Sequence, residues 1–148
     1  MTALATLPRA TSTTGPEVLF YDGGCGLCHR AVLFLLWADR EGRAFRFAPL
    51  GGATFEAQVP PSERRGLPDS MVLRMADGAL LTRSAGVLHI LRRLGGGWRV
   101  LAFLFGLVPR PLRDVAYDSV ARIRFRLFAR PDDACPMVPP PLRSRFLR

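Results

Sequence analysis

The chain has 148 residues, of which 49% are hydrophobic and 22% charged, so it suits a single globular domain and excludes wholesale disorder. All 21 basic side chains are arginine, and the formal net charge is +9. Because lysine is absent while glycine and proline are frequent, we attribute the arginine to a GC-rich coding bias. On this interpretation the charge does not indicate a nucleic-acid partner.

Three cysteines occur, and two of them lie close together as Cys25 and Cys28. An odd number with one close pair is typical of a reducing compartment, where cysteines carry chemistry instead of forming structural disulfides. Residues 1–16 lack the basic start and the apolar run of a signal peptide. The longest apolar stretch, residues 100–108, falls short of the ~20 residues that a spanning helix needs. We therefore expect a cytoplasmic protein with no transmembrane segment.

The first half of the chain predicts a strand, a helix and a second strand. Residues 1–16 are rich in Thr, Ala and Pro and predict a flexible tail. Residues 18–21 form a continuous apolar run, typical of a strand buried on both faces. From Cys25 to Ala38 the apolar residues recur at helical spacing, and residues 45–48 predict the second strand. This order implies a parallel pair with a right-handed crossover.

The middle of the chain predicts a hairpin. Residues 51–69 are rich in glycine, proline and charge, with one short helix near residues 53–57. The dipeptide Asp77-Gly78 is a strong hairpin signal, and it joins two predicted strands, residues 71–75 and 79–82.

The second half of the chain is predominantly helical. Ser84 is predicted to cap a helix that ends at the glycines 95–97. Two more helices are predicted over residues 98–107 and 112–129, and residues 131–148 predict an irregular basic tail. The whole order is β-α-β-(α)-β-β-α with extra C-terminal helices. This is the thioredoxin-like α/β layout with a mixed sheet, and residues 17–130 form the domain.

The placement of Cys25 favours redox chemistry. It follows a strand and a Gly-Gly turn, at the first turn of a helix, where N–H groups and the helix dipole stabilise a thiolate. Cys28 lies one turn further along the same face, is expected to be the less exposed of the two, and is placed to attack a mixed disulfide formed at Cys25.

Two other residues are candidates for supporting roles. Asp22 lies three residues before Cys25, where its carboxylate can either accept the Cys28 proton or cap the turn. Pro68 precedes the third strand, at the position where thioredoxin-like proteins place a cis-proline beside the reactive cysteine. An ordinary turn proline is the alternative.

A metal site is one alternative use of the same cysteines. Zinc needs four ligands, and no second Cys-x-x-Cys exists in the chain. The remaining candidate ligands are His29, His89, Cys135 and scattered carboxylates. We therefore expect no metal.

Covalent haem attachment is a second, more remote alternative. Cys25, Cys28 and His29 match the Cys-x-x-Cys-His pattern of c-type haem attachment. That chemistry requires export and a sixth ligand, for which the candidates are Met71, Met75 and Met137. Without a signal peptide, His29 is better interpreted as a solvated helix residue.

Residues 21–28, Tyr-Asp-Gly-Gly-Cys-Gly-Leu-Cys, resemble the Asp-x-x-Cys-x-x-Cys signature of the DCC family of thiol-disulfide oxidoreductases. The resemblance extends over residues 17–148. Further positions that resemble the family are Pro68-Asp69-Ser70, Ser84-Ala85, Arg113-Asp114, Tyr117, Arg122, Arg124, Asp133 and Cys135.

The resemblance implies a thioredoxin-like domain whose redox centre is Cys25 and Cys28, with Asp22 as companion. It implies an enzyme that acts on a protein or small-molecule disulfide or dithiol and needs no bound cofactor, because electrons come from a dithiol donor. A non-catalytic thioredoxin-like binding module is the alternative. We interpret Cys135 as a buried structural cysteine or an unreactive thiol of the tail, and a third redox thiol is the alternative. The sequence does not fix the oligomeric state.

The basic excess lies in the second half of the chain, where residues 69–148 carry fourteen arginines and six acids. Arg122, Arg126 and Arg130 are spaced to share one helix stripe, and the tail adds Arg143, Arg145 and Arg148. We interpret these arginines as solvated, with Phe125 and Phe128 packed inward, and a nucleic-acid or anionic-membrane surface is the alternative. The apolar segment from Trp98 to Val108 is expected to pack against the sheet, and contact with a membrane surface is the alternative.

Overall fold

A four-stranded mixed sheet forms the centre of the protein in a computed structural model that describes residues 15–68, 70–127 and 140–148. The strand order is β2-β1-β3-β4. Strands β1 and β2 are parallel, whereas β1 with β3 and β3 with β4 are antiparallel. The strands are β1 (Glu17–Tyr21), β2 (Phe45–Pro49), β3 (Val72–Arg74) and β4 (Leu80–Thr82). The predicted parallel pair and hairpin are both confirmed, and the fold is thioredoxin-like.

The helices cover both faces of this sheet, and α1, α2 and α3 lie between its strands in the chain. Their bounds are α1 (Gly26–Ala38), α2 (Ala53–Gln58), α3 (Pro61–Arg64), α4 (Arg83–Leu94), α5 (Gly96–Gly106) and α6 (Arg110–Leu127), with a final 3-10 helix at Pro140–Arg145. The short helix α3 was not predicted from the sequence. It begins at a proline, which is favoured in the first turn of a helix.

The alternation of side chains in the central strands builds two apolar layers. On one face of the sheet, Leu19 and Leu73 pack with Val32 and Leu35 of α1 and Ile90 of α4. The other face presents a second set of strand residues, Val18, Phe20, Ala48 and Val72, which packs with Phe55 of α2. The prediction that β1 is buried on both faces is therefore confirmed. An apolar cluster packs against each face of the strand that leads into α1.

Helix α4 begins differently from the prediction. Thr82 occupies the N-cap position without a side-chain capping bond, and Ser84 lies inside the first turn. The Ser84 hydroxyl instead donates to Asp114 Oδ1 on α6, at 2.5 Å. The predicted cap at Ser84 is thus wrong, because the hydroxyl finds a carboxylate on a neighbouring helix and not the N–H groups of its own.

Helix α5 packs on a helix and not on the sheet, which corrects the expectation for Trp98 to Val108. Ala102 is buried against Leu88 and Leu91 of α4. The Trp98 ring lies edge-on to Phe34 of α1, with 5.0 Å between ring centroids. The opposite side of α5 stays exposed, with Phe103 66% and Leu107 67% accessible. None of the described helices has the length and apolar character needed to cross a membrane.

The end of the chain is ordered against β2, although the sequence predicts an irregular tail there. Leu147 N–H donates to the Phe47 carbonyl at 2.7 Å, and Phe146 forms a parallel bridge with Phe47. Arg145, expected to be solvated, is 5% exposed and pairs with Asp39 at 2.8 Å. Residues 1–14 and 128–139 lie outside the described part, and with them the predictions for Phe128, Arg130 and Cys135. The Phe125 side chain is not described either.

Candidate functional site

The turn between β1 and α1 brings Asp22, Cys25 and Cys28 together. The Asp22 carboxylate accepts the Gly24 N–H at 2.9 Å, and the Asp22 carbonyl accepts the Cys25 N–H at 3.2 Å. Cys25 has extended backbone angles and is the N-cap of α1. Two roles were considered for Asp22, accepting the Cys28 proton and capping the turn. The contacts observed here are those of turn capping.

The two cysteines form one contact at the start of the helix. Cys25 Sγ accepts the backbone N–H of Cys28, with 3.5 Å between the sulfur and the nitrogen. Both residues are free thiols. Cys25 is 1% exposed and Cys28 is 3% exposed, so the expectation that Cys28 would be the more buried of the pair is wrong. Both sulfurs lie beneath the surface of the protein.

The Cys28 thiol is difficult to ionise in this environment. Burial, followed by the hydrogen bond and the charge of Cys25, raises the pKa of Cys28 to about 12. A backbone hydrogen bond with Asp22 and the positive charge of Arg124 act in the opposite direction and lower this pKa. Cys28 is therefore protonated at neutral pH while both cysteines are reduced.

Helix α6 adds a tyrosine and an arginine beside the cysteines. Burial raises the pKa of the Tyr117 hydroxyl, and the neighbouring Ser70 side chain lowers it. The charge of Cys28 raises the Tyr117 pKa further, and Arg124 lowers it. Arg124 is buried, so a fixed positive charge lies near both Cys28 and Tyr117.

The backbone of Pro68 is bonded to Ser70 of this polar group. Its carbonyl accepts the Ser70 N–H at 2.8 Å, and Ser70 contacts Tyr117. The peptide bond before Pro68 is trans, since no cis peptide bond occurs among the described residues. The proline also lines a polar cavity of about 260 Å³, together with Thr82, Arg83, Arg110 and Asp114 among others.

The candidate metal ligands His29 and His89 both have other partners in the described part of the chain. Within residues 15–68, 70–127 and 140–148, no three His, Cys, Asp or Glu side chains cluster as metal ligands would. His89 bonds instead to Glu17, with 2.9 Å between Nε2 and Oε2. His29 is half-buried in the first turn of α1, its N–H bonded to the Cys25 carbonyl at 3.0 Å.

Sequence reasoning gave no role to Ser70, Tyr117 or Arg124, although each occupies a position that resembles the family. One local signal was available for two of them. Tyr117 and Arg124 are seven residues apart, a spacing that places both on one face of a helix. Nothing in the sequence near Cys25 indicates that this face of α6 lies beside it.

The mixed sheet, with two cysteines where its first strand gives way to a helix, defines a thioredoxin-like protein. Comparison with known proteins identifies the family within this class. A family model of the DCC1-like thiol-disulfide oxidoreductases matches residues 19–130. No solved structure matches the chain.

Two relatives cover most of the chain. The uncharacterized protein YuxK of Bacillus subtilis (strain 168) is 34% identical over 135 residues, which cover 88% of this chain and 93% of that protein. A chloroplastic DCC family protein of Arabidopsis thaliana, At1g52590, is 30% identical over 115 residues, covering 78% of this chain and 66% of the plant protein. The chain therefore belongs to the DCC1-like thiol-disulfide oxidoreductase family, which confirms the family expected from the sequence.

Proposed function

We propose that the protein catalyses thiol–disulfide exchange through Cys25 and Cys28. The observation that carries the proposal is the position of Cys25 Sγ at the N-cap of α1, where it accepts the Cys28 N–H at 3.5 Å. Helix N-terminal N–H groups stabilise an anion, and the thiolate is the nucleophilic form of cysteine. Membership of the family supports this chemistry.

The proposed reaction takes place in two steps. The Cys25 thiolate attacks one sulfur of a substrate disulfide, so that a mixed disulfide forms and the other substrate sulfur leaves as a thiolate. Cys28 then loses its proton and attacks Cys25 Sγ, which forms the Cys25–Cys28 disulfide and releases the second substrate thiolate. Two electrons pass from the cysteine pair to the substrate, and an external dithiol donor restores the pair.

The surrounding residues support these steps by position and charge. Asp22 holds the turn that sets Cys25 at the helix start. The buried charge of Arg124 lowers the pKa of Cys28, which favours loss of its proton in the second step. The Pro68 carbonyl holds the Ser70 N–H, and Ser70 lies next to Tyr117. We assign Asp22 and Pro68 as positioning residues.

Trapping of substrates tests the proposal. In a Cys28→Ser variant the second step is blocked, so Cys25 is expected to accumulate mixed disulfides that dithiothreitol releases. The matched Cys25→Ser variant is expected to accumulate none. Both variants carry Cys135→Ser, which removes the third thiol. The trapped species are measured by non-reducing electrophoresis and intact mass.

The same experiment distinguishes the alternative class. A non-catalytic binding module holds its partner by surface contacts, so both variants would recover the same partner in equal amount and without a covalent bond. That result would overturn the redox proposal. A covalent species that forms only through Cys25 is the result that the proposal requires.

A further inference from the structure

An apolar groove lies between α4, the end of α5 and α6, and it shares Tyr117 with the dithiol site. Its volume is about 420 Å³, within the roughly 300–1,000 Å³ of small-molecule sites. The apolar side chains that line it are Val87, Leu88, Phe105, Val108, Leu112 and Val120. Several of them are well exposed, Leu112 at 61%, so the groove opens to solvent.

Arg113 is the cation among the described residues that line this apolar groove. Arg113 is partly buried, and its Nε and Nη1 atoms are buried without a hydrogen-bond partner in the described part of the chain. A buried donor that lacks a partner is costly, and a buried guanidinium more so. The environment of Arg113 therefore favours an anionic group.

The nearby acids are already engaged elsewhere. Asp114 accepts the Ser84 hydroxyl and pairs with Arg110 at 3.6 Å, and these contacts lower the pKa of its carboxyl. Asp118 pairs with Arg83 at 3.4 Å. The positive charge of Arg113 in the groove is thus not balanced by either carboxylate of the same helix.

We propose that this groove binds a free amphipathic carboxylate, with its alkyl chain along the apolar wall and its carboxylate on Arg113. Charge complementarity selects the anion, because the guanidinium stays charged and donates charge-assisted hydrogen bonds to a carboxylate. The apolar lining selects an alkyl chain over a small hydrophilic acid. The inference goes beyond the proposed redox function and does not depend on it.

Equilibrium dialysis of the full chain with radiolabelled dodecanoate, below its micelle concentration, tests the proposal. Dodecanoate is expected to bind in one-to-one ratio, at least tenfold tighter than dodecanol, because charged hydrogen bonds distinguish the two. Affinity is expected to fall about fourfold for each methylene removed, from dodecanoate through decanoate to octanoate. Equal binding of dodecanol, or no binding of either, would overturn the assignment.

Three variants assign the site within the molecule. Arg113→Gln is expected to weaken dodecanoate binding at least tenfold while dodecanol binding stays the same. Ala116→Phe, which fills the groove, is expected to abolish binding of both. The matched control, Arg122→Gln, removes an exposed arginine of the same helix and is expected to change neither. Circular dichroism confirms that each variant is folded.

Two further arms exclude other sources of binding. Cys25→Ser and Cys28→Ser are expected to bind dodecanoate as the unmodified chain does, so a failure of the redox proposal leaves this one standing. The second measurement uses vesicles of phosphatidylglycerol. Binding to those vesicles without any binding of monomeric dodecanoate would show that the partner is a membrane surface, and it would contradict the proposal. Equal losses of dodecanoate affinity in Arg113→Gln and Arg122→Gln would contradict it as well.

Discussion

Cys28 is the residue whose environment most strongly alters its chemistry. Its pKa is about 12 in the folded protein, against an ordinary value of 9.0, mainly because the thiol is buried. The folded chain therefore keeps this proton at pH values where the unfolded chain loses it. The stabilisation that Cys28 contributes is complete below about pH 9 and is lost as the pH rises towards 12.

We predict that the reduced protein loses stability in alkali through Cys28. Between pH 8 and 10.5 the free energy of unfolding in urea is expected to fall less steeply in Cys28→Ala than in the unmodified chain. Val32→Ala, which shortens a core side chain beside Cys28 on α1, is the control. It is expected to lower stability at every pH and to keep the steep alkaline loss. Parallel curves for Cys28→Ala and the unmodified chain would contradict the prediction.

The Ser84–Asp114 hydrogen bond gives a second prediction at the residue scale. Removing the hydroxyl in Ser84→Ala is expected to cost about 1 kcal/mol of unfolding free energy at pH 7. The Ser84 hydroxyl lowers the pKa of Asp114. The stabilisation from this hydrogen bond is therefore present at neutral pH and is lost as the pH falls through the lowered pKa of Asp114. The difference between the two proteins should therefore shrink in acid.

Ser119→Ala serves as the matched control for this measurement. The Ser119 hydroxyl donates to the Val115 carbonyl of its own helix at 2.8 Å and is exposed. Its removal is expected to change stability by less than about 0.5 kcal/mol and by the same amount at every pH. A pH-dependent loss in Ser119→Ala, or none in Ser84→Ala, would show that the Asp114 contact is not responsible.

At the scale of elements, a buried ion pair joins the final 3-10 helix to the end of α1. Arg145 donates to the Asp39 carboxylate at 2.8 Å and to the Asp39 carbonyl at 3.0 Å, and its guanidinium lies 5.3 Å from the Phe47 ring centroid. Asp39 also accepts the Ala44 and Phe45 N–H groups. The pair therefore joins the end of α1, the start of β2 and the end of the chain.

We predict that Arg145→Ala lowers the unfolding free energy by about 3–5 kcal/mol, because it leaves the Asp39 carboxylate buried and unpaired. The control Arg148→Ala removes an exposed side chain and is expected to change stability by less than about 0.5 kcal/mol. Urea titrations followed by circular dichroism measure both. Equal effects of the two substitutions would mean that the segment does not dock in solution.

These elements show which parts of the fold were predictable. The strands, the Asp77-Gly78 hairpin and α1 follow from local periodicity and turn chemistry, and the structure has them where the sequence indicates. The burial of Arg145 is not predictable from local sequence, because its partner Asp39 lies 106 positions away. The packing of α5 on α4 was missed for the same reason, since an apolar helix carries no mark of which surface it will cover.

The candidate site likewise has one part that the sequence predicts and one part that it does not. Cys25, Cys28 and Asp22 lie within seven residues and form a recognisable local motif. Ser70, Tyr117 and Arg124 reach the motif from a loop before β3 and from α6, through contacts that only the folded chain creates. Sequence reasoning therefore found the half of the site that is local.

At the scale of the whole molecule, both described thiols are shielded by the fold. In a Cys135→Ser background, we predict that the native protein reacts with 5,5′-dithiobis(2-nitrobenzoate) at least about a hundredfold more slowly than the urea-unfolded chain, because local opening must precede reaction. Absorbance at the released thionitrobenzoate maximum follows the reaction. Native and unfolded rates that agree would show that the sulfurs are accessible at rest.

The burial of the dithiol also decides which molecules the proposed chemistry admits. Small thiols and oxidants are abundant in a cell, and a sulfur pair on the surface would exchange with them continually. A pair that is shielded at rest is kinetically insulated from that background. Selectivity then depends on which substrate can open the site, and a favourable reduction potential alone is not sufficient.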